Sequence, residues 1–219
     1  MSSSSDDKNY HLLYFDLKAR GETIRFILHY AGVEFEDERV RPSDWPVFKA
    51  ENGHRMPWAQ LPVLTLPNGK ELGQARAIAR YLARRYGLAG ADDFESAQID
   101  AIADAVEDMV LPATPHALCL YAGNKEGMAF EKKKLEGIGH FDNHLPRFEK
   151  ILAENGSGWL VGEQVSWADF HVAMWADRYV KILDSTLLDK YPQLRALVEK
   201  VHALPQLQKY LAERPQTAV

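Results

Sequence analysis

The chain has 219 residues, enough for one large domain or two modest ones that each bury a core. Its 46% hydrophobic and 26% charged residues are typical of a globular protein, and its net charge of −5 argues against a nucleic-acid binder, which would carry a clustered basic excess. Cys119 is the one cysteine, so an intrachain disulfide is excluded and a reducing, cytoplasmic setting is expected. No apolar run approaches the roughly 20 residues that a membrane span needs.

Residues 1–8 are polar and contain no apolar signal segment, so a disordered tail is expected there. Residues 9–87 then alternate short strands with helices. The apolar run 11–15 predicts a buried strand, and the next segment has apolar residues at helical spacing up to Gly32. The later elements are a strand over 34–40, a short irregular helix that Ser43 would cap, a hairpin over 61–72 and an amphipathic helix from Ala75 to Tyr86. This order predicts an α/β domain of the form β-α-β-α-β-β-α.

A short segment rich in small and acidic residues, 88–95, predicts a linker. Beyond it every long segment of 96–219 has a helical pattern, so the C-terminal domain is expected to be all-α. The predicted helical segments are 96–111, 125–155, 166–183, 191–203 and 206–212. Within them, Ser166 and Asp169 in the sequence SWAD predict a capping box that starts a core helix.

The helix after the hairpin begins at Gly73-Gln74-Ala75, without the Ser, Thr, Asp or Asn that usually caps a helix. A helix N-terminus leaves about four backbone N–H groups without intrahelical partners, and the helix dipole adds a partial positive charge there. Both features favour a bound anion. The bare start at Gln74 and Ala75 therefore predicts a carboxylate site.

The segments YFDLKARGETIR, DWPVFK, QLPVL and LGQARAIARYLAR, in this order and spacing, resemble a cytosolic glutathione transferase. The resemblance extends from Asn9 to the closing RPQTAV and is greatest to the sigma class, the group that includes haematopoietic prostaglandin D synthase. It implies a thioredoxin-like N-terminal domain followed by an all-α C-terminal domain. It also implies glutathione as cosubstrate, a small hydrophobic electrophile, a role in detoxification and a homodimer, with neither nucleic acid nor membrane as a partner.

The resemblance makes Tyr14 and Arg20 the candidate catalytic residues. A thiol with a pKa of ~8.5 is only a few per cent ionised at pH 7, and lowering that pKa by two units needs about 2.7 kcal/mol. A Tyr14 hydroxyl that donates a hydrogen bond to the sulfur would supply much of it, and the Arg20 charge close to the ring would lower the thiol pKa further. Arg25 is instead expected to form a structural ion pair.

The other glutathione contacts are also implied by the resemblance. Trp45 and Lys49, four residues apart on one helical face, would bind the glycine carboxylate. The long segment between Lys49 and the QLPV motif leaves open whether Arg55 or Trp58 enters the site. The full set of implied glutathione residues is Tyr14, Arg20, Trp45, Lys49, Gln60, Leu61, Pro62, Gln74, Ala75 and Asp100.

Gln60, Leu61 and Pro62 belong to the QLPV motif, whose proline is expected to be cis. The Leu61 main chain would pair with the cysteinyl backbone of glutathione, and Gln60 would approach the glycyl carboxylate. Gln74 and the Ala75 N–H would hold the γ-glutamyl carboxylate. The family usually has serine at the position of Ala75, so weaker glutathione binding than in a typical member is expected.

An acidic row, Asp100, Asp104, Glu107 and Asp108, follows one helical face, and a solvated surface is its plainest interpretation. By resemblance, Asp100 would reach across a dimer to the γ-glutamyl amine of the partner's ligand. Asp104, Glu107 and Asp108 resemble carboxylates that gather hydrated magnesium, an ion that is not expected to be essential. No other metal site is predicted.

By resemblance, the hydrophobic-substrate pocket is formed by Phe15, Met109, Pro115 and Val219. Pro115 stands where prostaglandin D synthase has a tryptophan, which weakens the case for prostaglandin specificity. The expected function is conjugation of the glutathione thiolate to hydrophobic electrophiles. The alternatives are a glutathione-dependent prostaglandin D synthase, which is an isomerase, and a non-enzymatic crystallin or ligand-binding relative.

Overall fold

The computed structural model describes residues 10–137 and 139–217. The predicted tail over 1–8 and the pocket residue Val219 lie outside these described residues. The described chain divides into two compact units, one formed by the residues up to Leu88 together with those from Ala203 onward, and one formed by Ala89–His202. The segment from Ala203 onward therefore belongs to the first unit, whereas the sequence assigned it to the C-terminal domain 96–219.

The first unit contains a four-stranded mixed sheet. Its elements are β1 (Tyr10–Phe15), α1 (Ala19–Tyr30), β2 (Phe35–Val40), α2 (Trp45–Asn52), β3 (Val63–Thr65), β4 (Glu71–Gly73), α3 (Ala75–Arg85) and the C-terminal α9 (Pro205–Glu213). The strand order is β2-β1-β3-β4, with β1 parallel to β2 and antiparallel to β3. Up to α3 the elements follow the predicted β-α-β-α-β-β-α order, because strand alternation and helical spacing are read from neighbours in the sequence.

Helix α9 packs against helix α1 in the first unit. Its Leu207 and Tyr210 are buried, and the Tyr210 ring is stacked on His29 at 4.2 Å between centroids. The edge of the same ring meets Phe26 at 6.1 Å. These contacts explain why the last helix belongs to the first unit, although periodicity alone assigned it to the helical domain.

The second unit consists of helices, with α7 against α4 and α8 at its centre. They are α4 (Asp93–Tyr121), α5 (Lys125–Gly137), α6 (Leu145–Asn155), α7 (Trp167–Ile182) and α8 (Pro192–His202). The capping box that starts α7 is confirmed: the Ser166 N–H and hydroxyl donate to Asp169 Oδ2 at 2.7 and 2.9 Å. Leu160 N–H donates to the other Asp169 oxygen at 2.8 Å, so this buried carboxylate also anchors the preceding loop.

Helix α4 is longer than the predicted segment 96–111 and contains Pro112 and Pro115. Pro112 and Pro115 lack the N–H groups that would bond to the Asp108 and Leu111 carbonyls, so α4 continues past them with two backbone hydrogen bonds fewer. The Thr114 hydroxyl donates to Val110 O at 3.1 Å, and His140 Nε2 lies 2.7 Å from Met109 O. Helix α4 therefore extends past two residues that indicate a helix end in the sequence, and His140 contacts this part of it from outside the helix.

The predicted helical segment 125–155 contains two helices, α5 and α6, separated by a short 3-10 turn. Gly139, with φ of +56°, lies in the left-handed region at the break, where glycine has no Cβ penalty. Across the described residues we find no helix that combines the length and apolar character needed to cross a bilayer.

Candidate active site

Tyr14 lies near the C-terminal end of β1, paired in register with Arg39 of β2. Its side chain is only 5% exposed. The edge of the ring meets Phe15 at 5.4 Å, and Gly21 of α1 lies against its other carbons. A Cβ atom at Gly21 would come within 2.3 Å of Tyr14 Cδ1, so only glycine at this position leaves room for the ring.

Arg25 is fully buried beneath the loop that follows Tyr14. Its Nε donates to both Asp37 oxygens at 3.1 and 3.0 Å, which confirms the predicted structural ion pair. Its Nη1 donates to Leu17 O at 2.7 Å, and its Cζ lies 5.8 Å from the Tyr14 ring centroid. A cation near the ring was expected at Arg20, which is half-buried in the first turn of α1 and whose catalytic role stays a prediction.

Glu22 is a second buried charge in α1, 1% exposed, and connects α1 to the C-terminal segment. It accepts hydrogen bonds from the Tyr210 hydroxyl at 2.8 Å and from Arg214 Nη1 at 2.6 Å, and it lies 3.4 Å from Arg25 Nη1. Burial, followed by the Glu22 charge, raises the pKa of the Tyr210 phenol, which therefore stays protonated and donates. Sequence reasoning missed this cluster because its partners are far apart along the chain.

An aromatic row extends from Tyr14 through Phe15 to helix α2. The Phe15 and Trp45 rings meet edge to face at 5.2 Å, and Phe48 lies 6.3 Å from Trp45. Lys49 Nζ is 5.7 Å from the Trp45 ring centroid, so these two residues lie on one face of α2, as their spacing predicted. Trp45 is half-buried and Lys49 is exposed.

The loop before β3 contains the cis peptide bond predicted between Leu61 and Pro62. Leu61 is half-buried, and Gln60 is exposed. Trp58 is 64% exposed, and its ring lies over Gly73, where a Cβ would be 2.6 Å from Trp58 Cδ1. The sequence left open whether Trp58 or Arg55 enters the site. Trp58 lies beside Gly73, next to Gln74, whereas Arg55 is exposed in a short 3-10 turn.

Helix α3 starts at Ala75, and the side chain of its N-cap residue Gln74 makes no capping hydrogen bond, which confirms the bare start predicted from the sequence. Gln74 is exposed and has φ of +72° and ψ of 110°, a backbone conformation that glycine adopts readily and other residues rarely adopt. Such a residue costs about 1–3 kcal/mol of strain, and residues of this kind cluster at active sites, ligand-binding sites and switch regions. In this conformation Gln74 turns the backbone into α3, and the first N–H groups of the helix follow directly after it.

The remaining candidate residues lie on α4, in the second unit. Asp100 and Pro115 are half-buried, and Met109 is 1% exposed. Asp104 and Asp108 are exposed, and Glu107 is buried. Within the described residues no group of three or more His, Cys, Asp or Glu side chains is placed to hold a metal ion, so the three acidic residues beyond Asp100 do not form such a site in one chain.

Comparisons with family models and with known proteins show what this chain is similar to. A family model described as "Glutathione S-transferase, N-terminal domain" matches residues 10–84, and one described as "Glutathione S-transferase, C-terminal domain" matches 113–214. Glutathione S-transferase 1 of Ascaris suum is 40% identical over 212 residues, which are 95% of this chain and 98% of the relative. Hematopoietic prostaglandin D synthase of Gallus gallus is 35% identical over 215 residues, 96% of this chain and 99% of the relative.

The crystal structure of the glutathione S-transferase from Ascaris lumbricoides superposes with a TM-score of 0.84 at 39% identity, covering 95% of this chain and 98% of that structure. The agreement includes both the mixed sheet of the first unit and the helices of the second. By sequence and by fold, this chain belongs to the glutathione S-transferase family of enzymes.

Proposed function

We propose that the protein conjugates glutathione to small hydrophobic electrophiles and that the Tyr14 hydroxyl holds the glutathione sulfur as a thiolate. The observation that carries the proposal is the setting of Tyr14, whose ring is confined by Gly21 and Phe15 and lies 5.8 Å from the Arg25 guanidinium. A hydrogen bond from the phenol to sulfur and a nearby positive charge both favour the ionised thiol. The thiolate then attacks the electrophile, so the nucleophile is supplied by the cosubstrate.

In this proposal the two carboxylates of glutathione bind at two ends of the first unit's surface. Trp45 and Lys49, with Gln60 nearby, bind the glycyl carboxylate, and this is supported by their shared face on α2. The start of α3 at Gln74 and Ala75 binds the γ-glutamyl carboxylate, which is supported by the uncapped N-terminus. The Leu61 main chain pairs with the cysteinyl part, and Arg20 adds positive charge near the sulfur.

The proposed working form is a cytoplasmic homodimer. In it, Asp100, a half-buried residue of α4, binds the γ-glutamyl amine of the partner's ligand, as the family resemblance implies. For the electrophile, the pocket expected from the resemblance stays a prediction. Magnesium is not an essential component of the reaction.

The experiment that tests this function combines glutathione-affinity chromatography with a chlorodinitrobenzene conjugation assay. Retention on the column and thiol-dependent turnover are expected. Retention without turnover on any electrophile would instead indicate a non-enzymatic ligand-binding relative, and failure of both would contradict the proposal. The 35% identity to a prostaglandin D synthase favours one second candidate, which product analysis with prostaglandin H2 tests directly.

Ala75→Ser is expected to tighten glutathione binding about ten-fold, because a hydroxyl at the start of α3 adds one donor to the γ-glutamyl carboxylate and such a bond contributes about 1.5–3 kcal/mol. Isothermal titration calorimetry measures the change. Ala77→Ser, two residues further into the same helix, is the matched control and leaves the affinity unchanged. Equal affinities for Ala75→Ser and the parent protein would show that water or another side chain already supplies this donor.

A further inference from the structure

Helix α7 buries a guanidinium that has no carboxylate partner among the described residues. Arg178 is 4% exposed, and its Nη2 donates to the Tyr121 hydroxyl at 2.5 Å. Its Nε and Nη1 have no hydrogen-bond partner among the described residues, and Arg178 takes part in none of their ion pairs. This contrasts with Arg25 in the first unit, which is buried equally well and bonded to Asp37.

Further polar groups without partners surround Arg178. The guanidinium carbon lies 5.7 Å from the ring centroids of both Tyr121 and Trp175. Trp175 is 5% exposed, and its indole Nε1 has no acceptor among the described residues. His116 on α4 is 2% exposed, its Nδ1 is also without a partner, and its pKa is lowered by burial and then by the charges of Lys132 and Arg178.

These four side chains, Arg178, Trp175, Tyr121 and His116, form what we call the Arg178 cluster. A buried charge without a partner is strongly destabilising, and buried N–H groups in folded proteins nearly always have acceptors. The cluster has a net positive charge and an excess of donors. Glu131 is an acid whose charge acts on His116, and its Oε2 is itself without a hydrogen bond and lies 3.6 Å from Lys134 Nζ.

We propose that the Arg178 cluster binds a monovalent anion, either a halide or the carboxylate group of a small organic acid. Arg178 Nε and Nη1 and the Trp175 indole would donate to it, and the Tyr121 and Trp175 rings would keep water from competing. A charge-assisted hydrogen bond is about twice as strong as a neutral one, so an anion satisfies this donor set better than water does. The proposal concerns the second unit and does not depend on glutathione chemistry.

Thermal unfolding of the full chain tests the proposal, with sodium chloride, sodium acetate and sodium octanoate added separately to wild type and to Arg178→Met. An anion at ten times its dissociation constant is expected to raise the wild-type midpoint by about 4 °C more than the variant's. The matched control is Arg195→Met, which removes an exposed arginine paired with Asp189 at 2.6 Å and retains the full anion response.

The three salts distinguish the source of the anion. A larger response to octanoate than to acetate indicates the carboxylate of an apolar acid, and equal responses to all three indicate a free small anion. Equal midpoint shifts in wild type and Arg178→Met would overturn the proposal. If Arg178→Met fails to fold, wild-type crystals soaked in sodium bromide decide the question: an anomalous peak within hydrogen-bond distance of Arg178 Nε supports the site, and ordered water alone there overturns it.

Discussion

Tyr14→Phe is expected to lower kcat/KM for chlorodinitrobenzene about 100-fold, the equivalent of about 2.7 kcal/mol or two units of thiol pKa. The variant keeps the ring that fills the space between Gly21 and Phe15, so only the hydroxyl is lost. Because ionisation of the thiol and not binding of the tripeptide is affected, the KM for glutathione should change little.

The pH profile gives the sharper measurement of the Tyr14→Phe effect. In wild type, kcat/KM should rise with pH through a thiol pKa well below ~8.5, and in Tyr14→Phe the rise should move up towards that free-thiol value. Ultraviolet absorbance of bound thiolate reports the same shift without turnover. Tyr191→Phe, which removes a phenol hydroxyl in the second unit, is the control. An unchanged pH profile in Tyr14→Phe would mean that a group other than Tyr14 activates the thiol.

Gly21→Ala tests the same assignment through geometry. Its new Cβ would lie 2.3 Å from Tyr14 Cδ1, so the ring must move away from its place at the end of β1. Activity should fall even though the hydroxyl is present. Gly137→Ala is the matched control, since no heavy atom lies within 4 Å of a Cβ built there. Full activity in Gly21→Ala would mean that the position of the Tyr14 ring is not critical.

Features that depend on neighbouring residues in the sequence were predictable. The apolar run of β1, the shared face of Trp45 and Lys49 and the bare start of α3 are all present in the structure. Each follows from a local repeat or from the capping chemistry of a few residues. The predicted Ser43 cap was wrong: α2 starts at Trp45 after a 3-10 turn, and the Ser43 hydroxyl donates to Asp44 at 3.1 Å.

Features that depend on distant residues were not predictable. Glu22 looks like a surface acid in the sequence, but it is buried by Tyr210, which lies 188 positions further along the chain. Helix α4 continues past two prolines, and residues from elsewhere in the chain contact this part of it, as His140 does at Met109 O. The position of Arg25, 5.8 Å from the Tyr14 ring centroid, likewise could not be predicted from the sequence, because Arg20 is closer to Tyr14 along the chain.

Arg25→Met is expected to lower the free energy of unfolding by about 3–5 kcal/mol, the usual cost of removing one partner from a buried charge network. Methionine fills similar volume but leaves the Leu17 carbonyl without its donor and Asp37 without the paired Nε. The buried Glu22 would also lose the Arg25 guanidinium, whose Nη1 lies 3.4 Å from Glu22 Oε2. Urea denaturation, followed by circular dichroism, measures the loss.

Arg41→Met is the matched control for Arg25→Met within the same unit. The Arg41 side chain is 75% exposed and pairs with Asp44 at 2.7 Å, so its removal should cost no more than about 1 kcal/mol. Arg25→Lys provides an intermediate case, because an ammonium keeps the charge but cannot reach Asp37 and Leu17 O together as the guanidinium does.

The activity of Arg25→Met under conditions where it remains folded separates two roles of this residue. Arg25 bonds to the Leu17 carbonyl and so holds the loop that follows Tyr14, and its charge also acts on the Tyr14 ring from 5.8 Å. If the loop contact dominates, Arg25→Lys should lose activity nearly as Arg25→Met does. If the charge dominates, Arg25→Lys should retain a thiol pKa close to that of wild type. Equal stability of Arg25→Met and Arg41→Met would contradict the structural role itself.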